Sequence, residues 1–213
     1  MGRRSLPKID PTVSLTEHLT VLDELEPPLD PQSLFATPQP LELEVGSGKG
    51  HFLQTHSQQY PERNFLGIEL AKKYAQFAAY RLANQGATNA RMISGDGLRL
   101  FREFIPDQCA NDVHVYFPDP WWKERHRRRR VMQPEFIADI QRVLKAGGTF
   151  HFWTDVEQYF EETLELMKLH SDLEGPLNVD PAAPEHDMDY RTHFERRMRK
   201  GGHDVFRAQF KKS

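Results

Sequence analysis

What this chain has little of narrows it first. Its 213 residues include one cysteine, Cys109, which excludes an internal disulfide and any cysteine-based zinc site. No apolar run approaches the roughly 20 residues of a membrane-spanning helix, and mean hydropathy is −0.69, so no membrane partner is expected. The opening MGRRSLPKID is basic without an apolar stretch behind it, unlike a secretory signal, and a cytoplasmic location is expected. The histidines are scattered. His114 and His151 fall on predicted strands as packing residues, and Glu185-His186-Asp187 falls in a proline-rich polar loop, so no metal is expected. There is no internal repeat.

An excess of positive charge is also lacking. Lys and Arg number 28 and Asp and Glu 31, for a net charge of −3. Taken alone, that balance argues mildly against a nucleic-acid partner. Its distribution argues the other way, because Lys123 to Arg130 carries six cations against the single Glu124. A second basic cluster is Arg196, Arg197, Arg199 and Lys200, while the acids gather in 17–30 and 155–174. A globally acidic protein can hold a local basic surface.

The pattern along the chain is α/β. Residues 1–40 read as a lead-in, whose prolines 27, 28, 31, 38 and 40 are expected to stop regular structure before the first strong strand, and 41–213 as one domain. Strands are predicted at Leu41–Val45, Asn64–Glu69, Ala90–Ser94, Asp112–Phe117 and Thr149–Trp153. Between them lie helices from about His51, over Ala71–Asn84, Gly97–Phe104, Pro134–Leu144 and Val156–His170, with Gly147-Gly148 expected to end the fourth. This alternation implies a doubly wound, Rossmann-like and largely parallel sheet with helices on both faces. A late strand at Asp204–Phe210 reads as antiparallel.

ELEVGSGKGHF joins the first of these strands to its helix, with Gly46, Gly48 and Gly50 at alternate positions. Glycines there permit a tight turn and a close approach of ligand to backbone. The spacing is neither the GxGxxG of most dinucleotide sites nor a phosphate-binding P-loop. Three acids accompany it. Glu44 lies just before the loop. Glu69 ends the second strand, where a doubly wound fold places the carboxylate that grips a ribose diol. Asp96 ends the third and can accept from an adenine amino group. Each alone reads as a cap; together they read as an adenosine site.

From Tyr116 to Arg130 the chain runs YFPDPWWKERHRRRR. Apolar strand, acid, aromatic and cation follow in order, which suits a nucleotide within a nucleic acid: a face to stack on, edges to hydrogen-bond, phosphates to neutralise. Pro118 and Pro120 restrain Asp119 at the strand tip. Either Trp121 or Trp122 can stack, the other being expected in packing. Arg125, His126, Arg127, Arg128, Arg129 and Arg130 are candidate contacts to a nucleic-acid backbone. Asp155 after the fifth strand reads as a helix N-cap, and Thr192 with Glu195 reads as a capping box ended by Gly201-Gly202.

Glu44-x-Gly-x-Gly-x-Gly, then GIEL, then a third-strand Asp resembles the S-adenosylmethionine-dependent class I methyltransferase fold. With FPDPWWK, WTDVEQY at 153–159 and RTHFERRMRKGGHDVFRAQF at 191–210, the chain over roughly 41–210 resembles the bacterial tRNA (guanine-N7-)-methyltransferase family. The resemblance implies S-adenosyl-L-methionine as methyl donor, held by Glu44, Gly46, Gly48, Gly50, Glu69, Asp96 and Asp119, and tRNA as partner, methylated in its variable loop. It implies Asp119 as the group that orients the guanine, and Lys123, Asp155, Thr192 and Glu195 as substrate contacts. Trp122 and Glu124 depart from the family pattern. Three other readings are a methyltransferase of this fold with another substrate, a non-catalytic RNA-binding module, and an NAD-dependent dehydrogenase. The basic aromatic stretch opposes the first, the retained acids and glycines the second, and the loop spacing the third. Oligomeric state is left open.

Overall fold

A computed structural model of the protein describes residues 6–179, 192–202 and 204–213; Glu185-His186-Asp187 lies outside them. Its elements are, in order, β1 (Leu19–Val21), β2 (Leu41–Val45), α1 (His51–Gln59), β3 (Asn64–Glu69), α2 (Lys72–Gln85), β4 (Ala90–Ser94), the short helix α3 (Gly97–Arg99) continuing as a π-helical turn Leu100–Phe104, β5 (Ala110–Tyr116), α4 (Pro134–Val143), β6 (Leu144–Thr154), α5 (Glu157–His170), β7 (Glu174–Leu177), α6 (His193–Lys200) and β8 (Phe206–Lys211). The strands form one sheet in the order β1-β4-β3-β2-β5-β6-β8-β7. Neighbours are parallel except β8, which runs antiparallel to both β6 and β7.

Two cores sandwich the sheet. The larger joins Leu41, Leu43 and Val45 of β2 to Phe101 and Phe104, to Phe136, Ile137, Ile140 and Val143 of α4, and to Tyr159 and Met167 of α5. The smaller joins Phe65 and Met92 to Phe52 and Leu53 of α1 and to Ala75, Ala78 and Leu82 of α2. Because side chains alternate across a strand, LELEV sends its aliphatic residues to the larger core and Glu42 and Glu44 to the other face. That face is covered too, so both acids are buried.

The predicted elements sit within a residue or two of their expected limits, with two differences of substance. The lead-in is not devoid of regular structure: β1 pairs in parallel with β4, and Leu22, Leu29 and Phe35 enter the larger core. Pro31 starts a 3₁₀ turn capped by Asp30, so the prolines punctuate a packed segment. Gly147-Gly148, expected to end α4, instead lies inside β6, which begins directly after α4. The β5–β6 register shifts there. Gly147 has φ +77°, and a Cβ on Gly148 would lie 2.8 Å from the Asn111 carbonyl oxygen, so the pair forms a bulge against β5.

Candidate active site at the strand tips

Strand order reverses between β2 and β5, and in open α/β sheets such a switch point opens a crevice at the carboxyl ends of the strands. The glycine loop leaves β2 on one side of this crevice and Asp119 follows β5 on the other.

On the β2 side, Gly46, Gly48 and Gly50 all have positive φ. A Cβ on Gly46 would point into open space, whereas one on Gly50 would lie 2.6 Å from the Ala78 Cβ. Gly46 thus borders the crevice, and Gly50 lets α1 start against α2. Glu69 pins the loop: its Oε2 accepts from the Gly48 N–H at 2.9 Å and its Oε1 from the Ala71 N–H at 2.8 Å. Each carboxylate oxygen has capacity for a second donor. Asp96 caps α3 through Oδ1, which accepts from the Leu98 N–H at 2.9 Å, leaving Oδ2 for another donor. Leu70, missed in the sequence, is 73% exposed directly after Glu69. Its signal was there in GIEL, an apolar residue just past a strand tip.

Glu44 is the anomaly of this half. It is buried, and its Oε2 accepts no hydrogen bond from the described residues. Burial pushes its pKa up to about 8, with the Ser47 side chain opposing the rise and the nearby Glu69 carboxylate adding to it. An unpaired buried carboxylate is costly, and a cation beside it removes the cost. This orphaned acid next to a glycine loop, with a second acid and an apolar side chain at the next strand tip, fits the ammonium, ribose and purine of S-adenosylmethionine.

On the β5 side, Phe117 and Trp121 have φ of +51° and +43°, so two non-glycine residues in the left-handed region bracket Pro118-Asp119-Pro120. Asp119 is exposed between them. Residues Glu124–Arg129 form a 3₁₀ turn. Neither tryptophan is in a core, contrary to expectation. Trp121 has the Arg129 guanidinium 5.2 Å from its centroid and His126 edge-on at 5.7 Å, while Trp122 is 60% exposed.

Lys123, Arg125, Arg128 and Arg129 are exposed and His126 half-buried. Arg127 is shared between Glu124 at 2.9 Å and Glu162 at 3.8 Å. Arg130 differs from the other arginines of the run. It is buried, ion-paired with Glu162 of α5, and its Nε donates to the Pro120 carbonyl at 2.7 Å. Its side chain is thus held beneath the loop from two sides.

The remaining candidates lie along the same edge. Asp155 is not the N-cap expected of it: α5 starts after Val156, whose N–H donates to Thr154 Oγ1 at 3.2 Å. Thr192 does cap α6, its Oγ1 accepting from the Glu195 N–H at 2.9 Å. Glu195 is buried and holds Arg207 at 3.2 Å and Arg199 at 3.4 Å. Arg207 in turn lies 4.8 Å over the Trp153 ring. Since Trp153 is two residues before Asp155, Glu195 and Asp155 are held at one edge. His114 and His151 prove to be more than packing residues: they stack at 4.6 Å, His114 bonds Glu42 and Tyr116, and His151 bonds Asp112 and Gln209.

A doubly wound sheet with an antiparallel strand slotted before its last, and this glycine-and-acid crevice, define a class I S-adenosylmethionine-dependent methyltransferase fold. Solved structures agree: the 16S rRNA methyltransferase KamB matches with a TM-score of 0.60 at 16% identity over 85% of this chain and 92% of that one, and the aminoglycoside resistance methyltransferase NpmB1 at 0.55 and 18% over 84% and 89%. A family model described as "Putative methyltransferase" matches residues 38–208. The tRNA (guanine-N(7)-)-methyltransferase of Rhodopirellula baltica is 47% identical over all of this chain and 80% of its own length, and that of Aeromonas hydrophila 36% over 90% and 81%. The chain belongs to the tRNA (guanine-N7-)-methyltransferase family. No helix among the described residues is long and apolar enough to cross a membrane.

Proposed function

We propose that this protein transfers a methyl group from S-adenosyl-L-methionine to N7 of a guanine in the tRNA variable loop. The observation that carries this reading is the juxtaposition across the switch point of an orphaned buried acid, Glu44, with an exposed acid, Asp119, that leads into an exposed tryptophan and arginines.

Glu44 would hold the α-ammonium of the methionine moiety, with the main chain at Gly46 and Gly48 bordering it. Glu69 would accept from the ribose hydroxyls, Asp96 from the adenine amino group, and Leu70 would face the purine. When bound, the cofactor supplies an electrophilic methyl group on a sulfonium. Guanine N7 carries an in-plane lone pair and no proton, so the chain's residues need supply no general base. Their task is positioning and negative potential beside a base that becomes cationic. Asp119 accepts from the guanine N1–H and amino group and stabilises the developing charge. Trp122 offers the free aromatic face, since Trp121 is already engaged by its own loop. Lys123, Arg125, Arg127, Arg128 and Arg129, with His126 among them, neutralise phosphates, and Asp155, Thr192 and Glu195 border the substrate.

Incubation with methyl-labelled S-adenosylmethionine and unmodified bulk tRNA, followed by chain scission specific for 7-methylguanosine, tests the reading. Label is expected at a single scission-sensitive position; tRNA that stays unlabelled overturns it. Asp119→Asn is expected to reduce turnover at least tenfold, and near-normal turnover would remove the carboxylate charge from the mechanism.

A further inference from the structure

The last arginine of the basic run does something different from the others. Arg125, Arg127, Arg128 and Arg129 are exposed, whereas Arg130 is 8% exposed. Its Nε donates to the Pro120 carbonyl at 2.7 Å, its terminal nitrogen pairs with Glu162, and its guanidinium lies 4.7 Å from the centroid of Tyr159. Tyr159 is itself tied down, its hydroxyl accepting from the Met132 N–H at 3.3 Å. The main chain of Arg130 is held as well, its carbonyl accepting from Gln133 Nε2 at 2.6 Å.

What Arg130 grips is the carbonyl immediately after Asp119. That carbonyl lies between the two left-handed residues Phe117 and Trp121, a backbone that persists only where its surroundings over-determine it. The other end is fixed by β6, where the Phe117 N–H donates to the Trp153 carbonyl at 2.7 Å. Arg130 fixes the second end from α5. A planar guanidinium can stack on an aromatic ring, pair with a carboxylate and donate to a carbonyl at once; an ammonium cannot reproduce that set.

We infer that Arg130 is a positioning residue for methyl transfer. Carried by Tyr159 and Glu162 of α5, it clamps the Pro120 carbonyl and so sets where Asp119 points. It is not a tRNA contact. The catalytic part of this inference rests on the reading of Asp119 as the group that orients the guanine; the clamp itself does not.

Two readouts on Arg130→Ala and Arg130→Lys test it, with Arg128→Ala as comparison. The first is amide hydrogen exchange in the free protein, which needs no activity. Arg130→Ala is expected to speed exchange of the 117–122 segment at least tenfold while β5 and β6 stay protected. Unchanged exchange overturns the clamp, and if Arg130→Ala does not fold, Glu162→Gln carries the same expectation with a smaller effect. The second is the division between turnover and tRNA affinity. Arg130→Ala and Arg130→Lys are expected to lose 30-fold or more in kcat, with tRNA Kd and its salt dependence within about twofold of the parent, and added methylguanidinium is expected to restore part of the alanine variant's rate. Arg128→Ala is expected to weaken tRNA binding and flatten its salt dependence. If Arg130→Ala instead behaves like Arg128→Ala, or loses rate only in proportion to unfolded protein, the positioning role is overturned. Failure of the parent to methylate tRNA would fall on the functional reading alone, because the exchange result stands without it.

Discussion

Glu42 and Glu44 sit two residues apart on β2, point to the same face, and are 4% and 3% exposed. Their surroundings differ completely. Glu42 accepts from Arg63 at 2.6 Å and bonds His114 at 2.9 Å. That joins it to Asp112, His151, Tyr116 and Gln209 in a continuous, partly buried network. Glu44, one step nearer the crevice, has an oxygen with no partner among the described residues. Burial alone therefore does not mark a functional acid here. Satisfied polar groups specify a core, and an unsatisfied one marks a place kept for a ligand.

The comparison breaks most readily at Glu42. Glu42→Ala takes an acceptor from the buried His114 and leaves Arg63 with Asp112, and loss of a partner by a buried polar group costs about 1–3 kcal/mol. Urea unfolding should show a loss of that size. A loss under about 1 kcal/mol would mean that the network contributes little and that the two acids differ less than their partners suggest. Glu44→Gln should do the reverse. It replaces a buried carboxyl that holds its proton up to about pH 8 with a neutral side chain of the same shape, so stability should hold near neutral pH and rise above it. Affinity for S-adenosylmethionine should fall by about 10- to 100-fold, the worth of a charge-assisted hydrogen bond at about 1.5–3 kcal/mol, measured by titration calorimetry. A Glu44→Gln protein that binds as tightly as the parent would separate the orphaned acid from the ammonium.

Much of this contrast could be read in the sequence, and what could not has a physical reason. The glycine loop, the acids at three strand tips and FPDPWW mark the crevice because doubly wound sheets place ligands at strand ends. The elements around it carry ordinary signals: Gly86 at φ +68° ends α2, and Pro134 starts α4. LELEV, by contrast, presents two equivalent acids. Only the side-chain directions in the folded sheet decide which is paired: His114 stands opposite Glu44 in the register yet reaches back to Glu42, and Arg63 folds onto Glu42 as well. Strand β1 was hidden because three residues in a proline-rich segment carry no period. Arg130 was hidden because a run of arginines looks uniform until α5 supplies Tyr159 and Glu162. The bulge at Gly147-Gly148 looked like a helix stop because glycine serves both purposes.

A slope with pH tests the same contrast without a ligand. Glu44 has an ordinary carboxyl pKa of 4.5 when unfolded and about 8 when folded, chiefly through burial. Below pH 4.5 both states hold the proton and Glu44 adds no pH dependence. Between 4.5 and 8 the folded chain keeps a proton that the unfolded chain has lost, so stability falls as pH rises, by about 1.4 kcal/mol per pH unit at most. Above 8 both states have released it and the slope from this group ends. Unfolding free energies measured from pH 5 to 9 should show this decline in the parent and a flatter profile in Glu44→Gln. The same proton must leave when a cation docks, so S-adenosylmethionine binding at pH 7 should release a proton to the buffer. Calorimetric heats should then vary with the buffer's ionisation enthalpy in the parent and not in Glu44→Gln. Heats independent of buffer in both proteins would mean that Glu44 stays protonated in the complex, and would move the ammonium's partner elsewhere in the crevice.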